Sequence, residues 1–487
     1  MDVRTAPVGG WRGLPNPSAE AVRNVIDHPI IDADGHCLEF LPAVREILRE
    51  VAGDAVDAAF WKTFLLMREA ANATTSQRRD LGIMRPPWWA FPAENTLDRA
   101  TAMLPRLFHR RLDELGIDFA VVYPTFGLLI FNLPESEVRK AAARAFNRYF
   151  AESTMGLADR LTPVAVIPMH TPEEALAELD HAVGELGLKT VLLAGHVMRD
   201  VAASGDSRRP REWMDTFNAD SPHDYDPVWQ RCLELGVAPT FHSSGMGWGS
   251  RASPSSYVYN HIGNFAAAGE ATCRSLFLDG VPTRFPDLRF AFLEGGVGWA
   301  ANLYSDIHGH FEKRRAGEVE KYDPARIDRR ALTALIEEFG DDRSLRHLAS
   351  LEDALWPFND PGHAARDEFA RSGITGVDSI RRAFADNFFF GCEADDPTNA
   401  TAFDTKRNPG GLRLNAIFSS DIGHWDVPDN REVLGEAFEL VEKGLIGPDD
   451  FRAFTFGNAV SLYAGANPDF FEGTTIADAA QKERATS

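Results

Sequence analysis

The segment Asp32-Ala-Asp34-Gly-His36 closes a short apolar run, PIIDAD, and carries a carboxylate and an imidazole two residues apart. On an extended chain, side chains alternate, so Asp34 and His36 point to the same side with Asp32 one step deeper. Such a pair is half of a divalent-metal site, and equally an ordinary way to cap a turn. The same placement recurs along the chain. His242 closes GVAPTF, Glu294 closes RFAFL, and Asp421 closes NAIFSS, with His424 three residues further on. A carboxylate ending so apolar a run faces a poorly solvated region, where an unpaired charge is costly and a cation or a proton must offset it. Each residue alone has a structural explanation. Five such residues at the mouths of four strands, namely Asp34, His36, His242, Glu294 and Asp421, do not.

These residues are positioned by a regular alternation of elements. Eight short apolar runs read as strands: 29–34, 118–125, 161–169, 189–195, 236–242, 287–294, 386–392 and 415–421. Most are nearly continuous in hydrophobicity, as parallel strands covered on both faces are. Between them lie helical patterns such as EEALAELDHAVGELG and PVWQRCLELG, each ending in a Gly that stops the helix before the next strand. Eight β/α units with polar residues gathered at strand ends predict an α/β fold, a (β/α)8 TIM-type barrel, with the chemistry at its C-terminal face. An open doubly wound sheet is the alternative. It usually carries a Gly-rich phosphate loop after the first strand, and DADGHCLEF is not one. The barrel is expected over 28–465, after an extension at 1–27 and before a tail at 466–487. Helical insertions at about 41–117 and 305–385 are expected over the catalytic face. The first holds the Pro-rich loop RPPWWAFPAEN, whose Trp88 and Trp89 are expected, with Trp248, to line the substrate pocket. The polar C-terminal ADAAQKERATS is expected to fray.

The chain has 487 residues, 50 basic and 72 acidic, a formal charge of −22. So acidic a protein repels phosphate backbones and anionic surfaces, which argues against nucleic acid and membranes as partners. No stretch is apolar enough to span a bilayer, and the first residues lack the apolar core of a secretory signal. Cys37, Cys232, Cys273 and Cys392 are isolated and read as buried thiols of a reducing, cytoplasmic compartment.

IIDADGHCLE, PTFHSSG, FAFLEGGVGW and FSSDIGHWD, in this order, resemble the metal-dependent amidohydrolase superfamily, specifically its amidohydrolase-2 branch, which also holds nonoxidative aromatic-acid decarboxylases. GIDFAVVYPT and IPMHTPEEALAEL are also typical of the branch, and the resemblance runs from about residue 28 to FGNAVSLY at 456–463. It implies a (β/α)8 barrel. It also implies that Asp34 and His36 stand where the family has a pair of first-strand His ligands, that His242 is the fifth-strand ligand, and that Asp421 is the eighth-strand Asp, which binds metal and handles the proton of the attacking water. Glu294 stands where many relatives carry a sixth-strand His. With carboxylates at two His positions the site is harder, which moves the expected ion from zinc toward iron or manganese.

Asp34, His36, His242 and Asp421 suffice for one divalent ion, and Glu294 and His196 could help to hold a second. Glu39 is placed to ligate or to hold His36. The reading that follows is a metal-dependent hydrolase of a small carbonyl compound, whether amide, ester, thioester or lactone, with Asp421, Glu294 and His424 as the catalytic groups. The alternatives are a dinuclear iron or manganese oxygenase and a nonoxidative decarboxylase of a small carboxylic acid. Hydrolysis is preferred on one ground: a fixed Glu294 anion would repel a carboxylate substrate unless a cation or a proton neutralised it. The expected partners are a small-molecule substrate and a second copy of the chain in a homodimer, with a hetero-oligomer as the other option.

Overall fold

Ile31–Cys37 forms β1, buried along its whole length, and starts a sheet of eight strands that are all parallel. The computed structural model describes residues 17–87, 90–200, 212–355 and 367–486. After β1 come β2 (Phe119–Pro124), β3 (Leu161–Ile167), β4 (Thr190–Leu193), β5 (Val197–Asp200), β6 (Glu212–Asp215), β7 (Pro239–Phe241), β8 (Phe290–Phe292), β9 (Phe388–Glu393) and β10 (Asn415–Ser419). The main sheet runs β1-β2-β3-β4-β7-β8-β9-β10, and β5 and β6 form a separate antiparallel hairpin. Each of the eight expected strands is present, and helices flank the sheet, as a TIM barrel requires.

The last strand returns to the first. The amide of Asp421 donates to the carbonyl of Asp34 at 3.1 Å, and that of His36 to Ile422 at 3.1 Å. The buried carboxylate of Asp32 adds to this seam, accepting from the Ser420 amide at 2.9 Å and its hydroxyl at 2.6 Å. The register of β1 against β2 shifts between Asp32 and Gly35. This bulge breaks the strict alternation expected for the DADGH run. Asp32 becomes a strand fastener, while Asp34 and His36 go to the site. Gly35 is required there, because a Cβ would lie 2.5 Å from the Asp32 carboxylate.

The core is apolar and ring-rich. Phe241, Phe292 and Phe390 are register partners on β7, β8 and β9, and their rings stack at 5.6 and 6.1 Å. Such cross-strand aromatic pairs hold neighbouring strands in one register. All four cysteines are buried and unpaired. The first insertion is helical through Leu41–Ala52, Asp54–Asn72, Thr75–Leu81, Thr96–Met103 and Pro105–Leu115. It is tied to the loop after β7 by Arg78, which donates to the Pro254 carbonyl at 2.6 Å, and by the Arg85 amide, which donates to Ser253 at 3.0 Å. In the second insertion no described residue from 312 to 355 is buried. The C-terminal segment does not fray: Ala477–Thr486 is helical and Ala480 is buried, because its small face packs back on Asn458–Ala466. Among the described residues, no helix is long and apolar enough to cross a membrane.

Candidate metal centre

The strand ends deliver their polar side chains to one point. Nε2 of His242 lies 3.1 Å from Oδ1 of Asp34, and Nε2 of His36 lies 3.5 Å from the same oxygen and 3.5 Å from Oδ1 of Asp421. Nδ1 of His424 is 2.7 Å from Asp421 Oδ1 and 3.5 Å from Glu294 Oε1, and the other Glu294 oxygen is 3.7 Å from His242. Two overlapping sets of ligand atoms result, each within 4.8 Å of one another: Asp34, His36 and His242, and His36, Glu294, Asp421 and His424.

The donor set fits a divalent ion. Asp34 Oδ2, His36 Nε2, Glu294 Oε2 and both Asp421 oxygens are buried without a hydrogen-bond partner. Buried polar atoms are ordinarily satisfied, so a cluster of orphaned lone pairs marks a place built for a cation. Two of these residues also take a left-handed backbone, Glu294 at φ 56° and Asp421 at φ 49°. Such a conformation costs a non-glycine residue roughly 1–3 kcal/mol, and it aims the carboxylates where the strands themselves would not.

Burial pushes the Asp34 carboxyl up, but His242 and His36 outweigh it and hold it well below the usual range. Burial, aided by His424, pushes His36 down to about 4, so it stands as the neutral imidazole a metal needs. Burial and then the carboxylates of Asp426, Glu294 and Glu393 push Asp421 well above its ordinary value. Glu294 goes the other way. Burial would raise it, yet His424, His242 and His36 together keep it low and ionised.

Four residues of this surround, Glu393, Asp426, Thr125 and Phe91, are not singled out by the sequence reading. Glu393, at the end of β9, and Asp426 bring carboxyl groups up beside Asp421, and burial pushes the Glu393 carboxyl itself well above its usual range. Thr125, after β2, places its hydroxyl 3.2 Å from His36 Nδ1 and 3.1 Å from His424 Nε2. Phe91, from the first insertion, sets its ring 6.3 Å from that of His424. Ending a strand is a signal that could have found Thr125 and Glu393.

His196 is in neither ligand set. Its backbone is tied to Ser244, whose hydroxyl takes its N–H at 2.9 Å, and its ring meets Trp248 edge-on at 5.2 Å. Trp248 lines a cleft with Asn132, His196 and Met198. Trp88 and Trp89 lie outside the described residues.

Glu39 does not join either ligand set. Its carboxylate accepts the amides of Phe126 and Gly127, each at 2.9 Å, and so fixes the turn that begins with Thr125. Removing such an outer support typically costs about 10–100-fold in metal affinity. Glu39→Ala is therefore expected to weaken divalent-ion binding by that factor in a titration with manganese as the probe, and an unchanged affinity would show that the turn holds without it.

The family model for amidohydrolases matches residues 31–345, and the chain belongs to that family, in its amidohydrolase-2 branch. No curated protein matches it in sequence. Among solved structures, an amidohydrolase from Mycobacterium avium subsp. paratuberculosis is similar over 90% of this chain and 100% of its own, at 16% identity and a TM-score of 0.50. A dihydroxybenzoic acid decarboxylase from Polaromonas sp., solved with manganese and the inhibitor 2-nitroresorcinol, is similar over 92% of this chain and 100% of its own, at 16% identity and a TM-score of 0.51. Both agree with the expected barrel.

Proposed function

We propose that the protein is a metal-dependent nonoxidative decarboxylase of a small carboxylic acid, with manganese or iron as its ion. The observation that carries this reading is the pairing of Glu294 with His242 and His424 at 3.7 and 3.5 Å. Hydrolysis was expected because a bare Glu294 anion would repel a carboxylate substrate. With a cation held by the neighbouring Asp34, His36 and His242 and the His242 and His424 rings set against it, Glu294 is no longer a bare anion, and that objection loses its force. The decarboxylase from Polaromonas, with its manganese and its phenolic inhibitor, supports the same choice.

Asp34, His36, His242 and Asp421 would hold the ion. A divalent ion held there would supply a positive centre that offsets negative charge as it develops on the substrate. Asp421 is the proton carrier. Burial, and then the neighbouring carboxyl groups of Asp426, Glu294 and Glu393, make it hold a proton more readily than an isolated carboxylate does. His424, 2.7 Å from Oδ1, fixes which Asp421 oxygen faces the substrate. The bond to the departing carboxylate breaks, its electron pair stays on carbon, carbon dioxide leaves, and that carbon takes the proton from Asp421. Phe91 and Phe126, with rings 5.6 Å apart, offer apolar walls that keep water away from that carbon.

The test is anaerobic incubation of the manganese-loaded protein with a panel of hydroxybenzoic acids in heavy water enriched in oxygen-18. Decarboxylation releases carbon dioxide and leaves one solvent deuteron on carbon and no solvent oxygen in the product. Turnover that appears only with amides, esters, thioesters or lactones and places oxygen-18 in an acid would return the reading to hydrolysis. Turnover that needs dioxygen would make the protein an oxygenase.

A further inference from the structure

The hydroxyl of Thr125 touches two imidazoles at once, His36 Nδ1 at 3.2 Å and His424 Nε2 at 3.1 Å. A hydroxyl has two lone pairs but only one proton to give. The three groups therefore cannot choose their proton positions independently.

Proton bookkeeping follows from the ligand end. Nε2 of His36 faces Asp34 and Asp421, 3.5 Å from each, and has no hydrogen-bond partner. A nitrogen that binds a metal carries no proton, so the ring proton of His36 sits on Nδ1 and donates to Thr125 Oγ1. The hydroxyl proton is then left for its other neighbour, and the arrangement that uses it has Nε2 of His424 as the acceptor. The ring proton of His424 is accordingly on Nδ1, 2.7 Å from Asp421 Oδ1 and 3.5 Å from Glu294 Oε1.

We infer that Thr125 is a positioning residue whose single hydroxyl couples the tautomer of the ligand His36 to that of His424, keeping the His424 proton on Nδ1, the ring nitrogen nearest Asp421 and Glu294. Its own placement is firm. The Thr125 amide donates to the Cys37 carbonyl at 3.1 Å, and Glu39 clamps the next two amides. Without the hydroxyl, His424 Nε2 loses its donor, and either ring nitrogen can carry the proton. The inference rests on the reading of His36 as a metal ligand and is independent of which reaction follows.

Nitrogen NMR of the zinc-loaded, nitrogen-15 histidine-labelled chain tests it, zinc serving as a diamagnetic probe and His424→Gln assigning the signal. In the wild type His36 Nε2 should shift on zinc addition, and His424 should carry its proton on Nδ1. Thr125→Val keeps the shape and removes the hydroxyl, so His424 should become a mixture of both tautomers, while Thr125→Ser should restore the wild-type signal. The wild-type spectrum alone can overturn the proposal, by showing the His424 proton on Nε2, whether or not the valine variant folds. An unchanged His424 in a zinc-binding Thr125→Val protein would overturn it as well. A His36 that does not respond to zinc would overturn the metal reading and this proposal with it, whereas the other two failures remove the coupling alone.

Discussion

His242→Ala is expected to strip the protein of its ion and to lower turnover by roughly 10³–10⁴-fold, the several kcal/mol that a bound ion contributes to a charged transition state. His242 is fully enclosed, and its Nε2 is 3.1 Å from the Asp34 carboxylate. The substitution removes a ligand and also leaves Asp34 without the imidazole that holds its carboxyl low. Two defects then act on one ligand set of three residues. Asp421→Ala should behave similarly, because both of its oxygens are orphaned in the buried cluster. Elemental analysis of the purified variants, beside the manganese-loaded wild type, is the direct check. Full metal content in both variants would place the ion elsewhere and sink the assignment.

What the sequence made legible, and what it did not, divides along physical lines. Strands buried on both faces are written in runs of Val, Ile and Phe, so all eight barrel strands were readable, with ends displaced by a few residues. The hairpin of β5 and β6 was not. VMRD and EWMD are short and polar and carry no alternation. The residues at strand ends were readable as a class, because a barrel puts that end at the site. Position does not give orientation, however. His196 ends its strand as His242 does, yet its ring turns to Trp248. Thr125 ends its strand unremarked, since a threonine after YP reads as a turn residue, and only the fold brings it between two imidazoles separated by most of the chain. The bulge in β1 was equally invisible, because it comes from a register shift against β2 and not from the residues of β1 alone.

Glu294→Gln is expected to leave the ion in place and lower kcat by roughly 10²–10⁴-fold, the usual contribution of a group that controls proton position in a transition state. The change keeps size and shape, and Gln tolerates the φ of 56° no worse than Glu, so the loop should survive. What disappears is the charge between His242 and His424. His424 is raised above its ordinary value chiefly against the opposing effect of burial, and the Glu294 contact is the largest contribution that raises it. Without it, His424 has less reason to keep a proton on the nitrogen that faces Asp421, and the oxygen of Asp421 that should meet the substrate is no longer fixed. The ligand set Asp34, His36 and His242 does not include Glu294, so one ion per chain should still be found by elemental analysis. A metal content that falls by one ion would instead make Glu294 a ligand of that ion. A variant with both metal and kcat unchanged would reduce Glu294 to a buried loop residue, and with it would go the pairing that favours decarboxylation over hydrolysis.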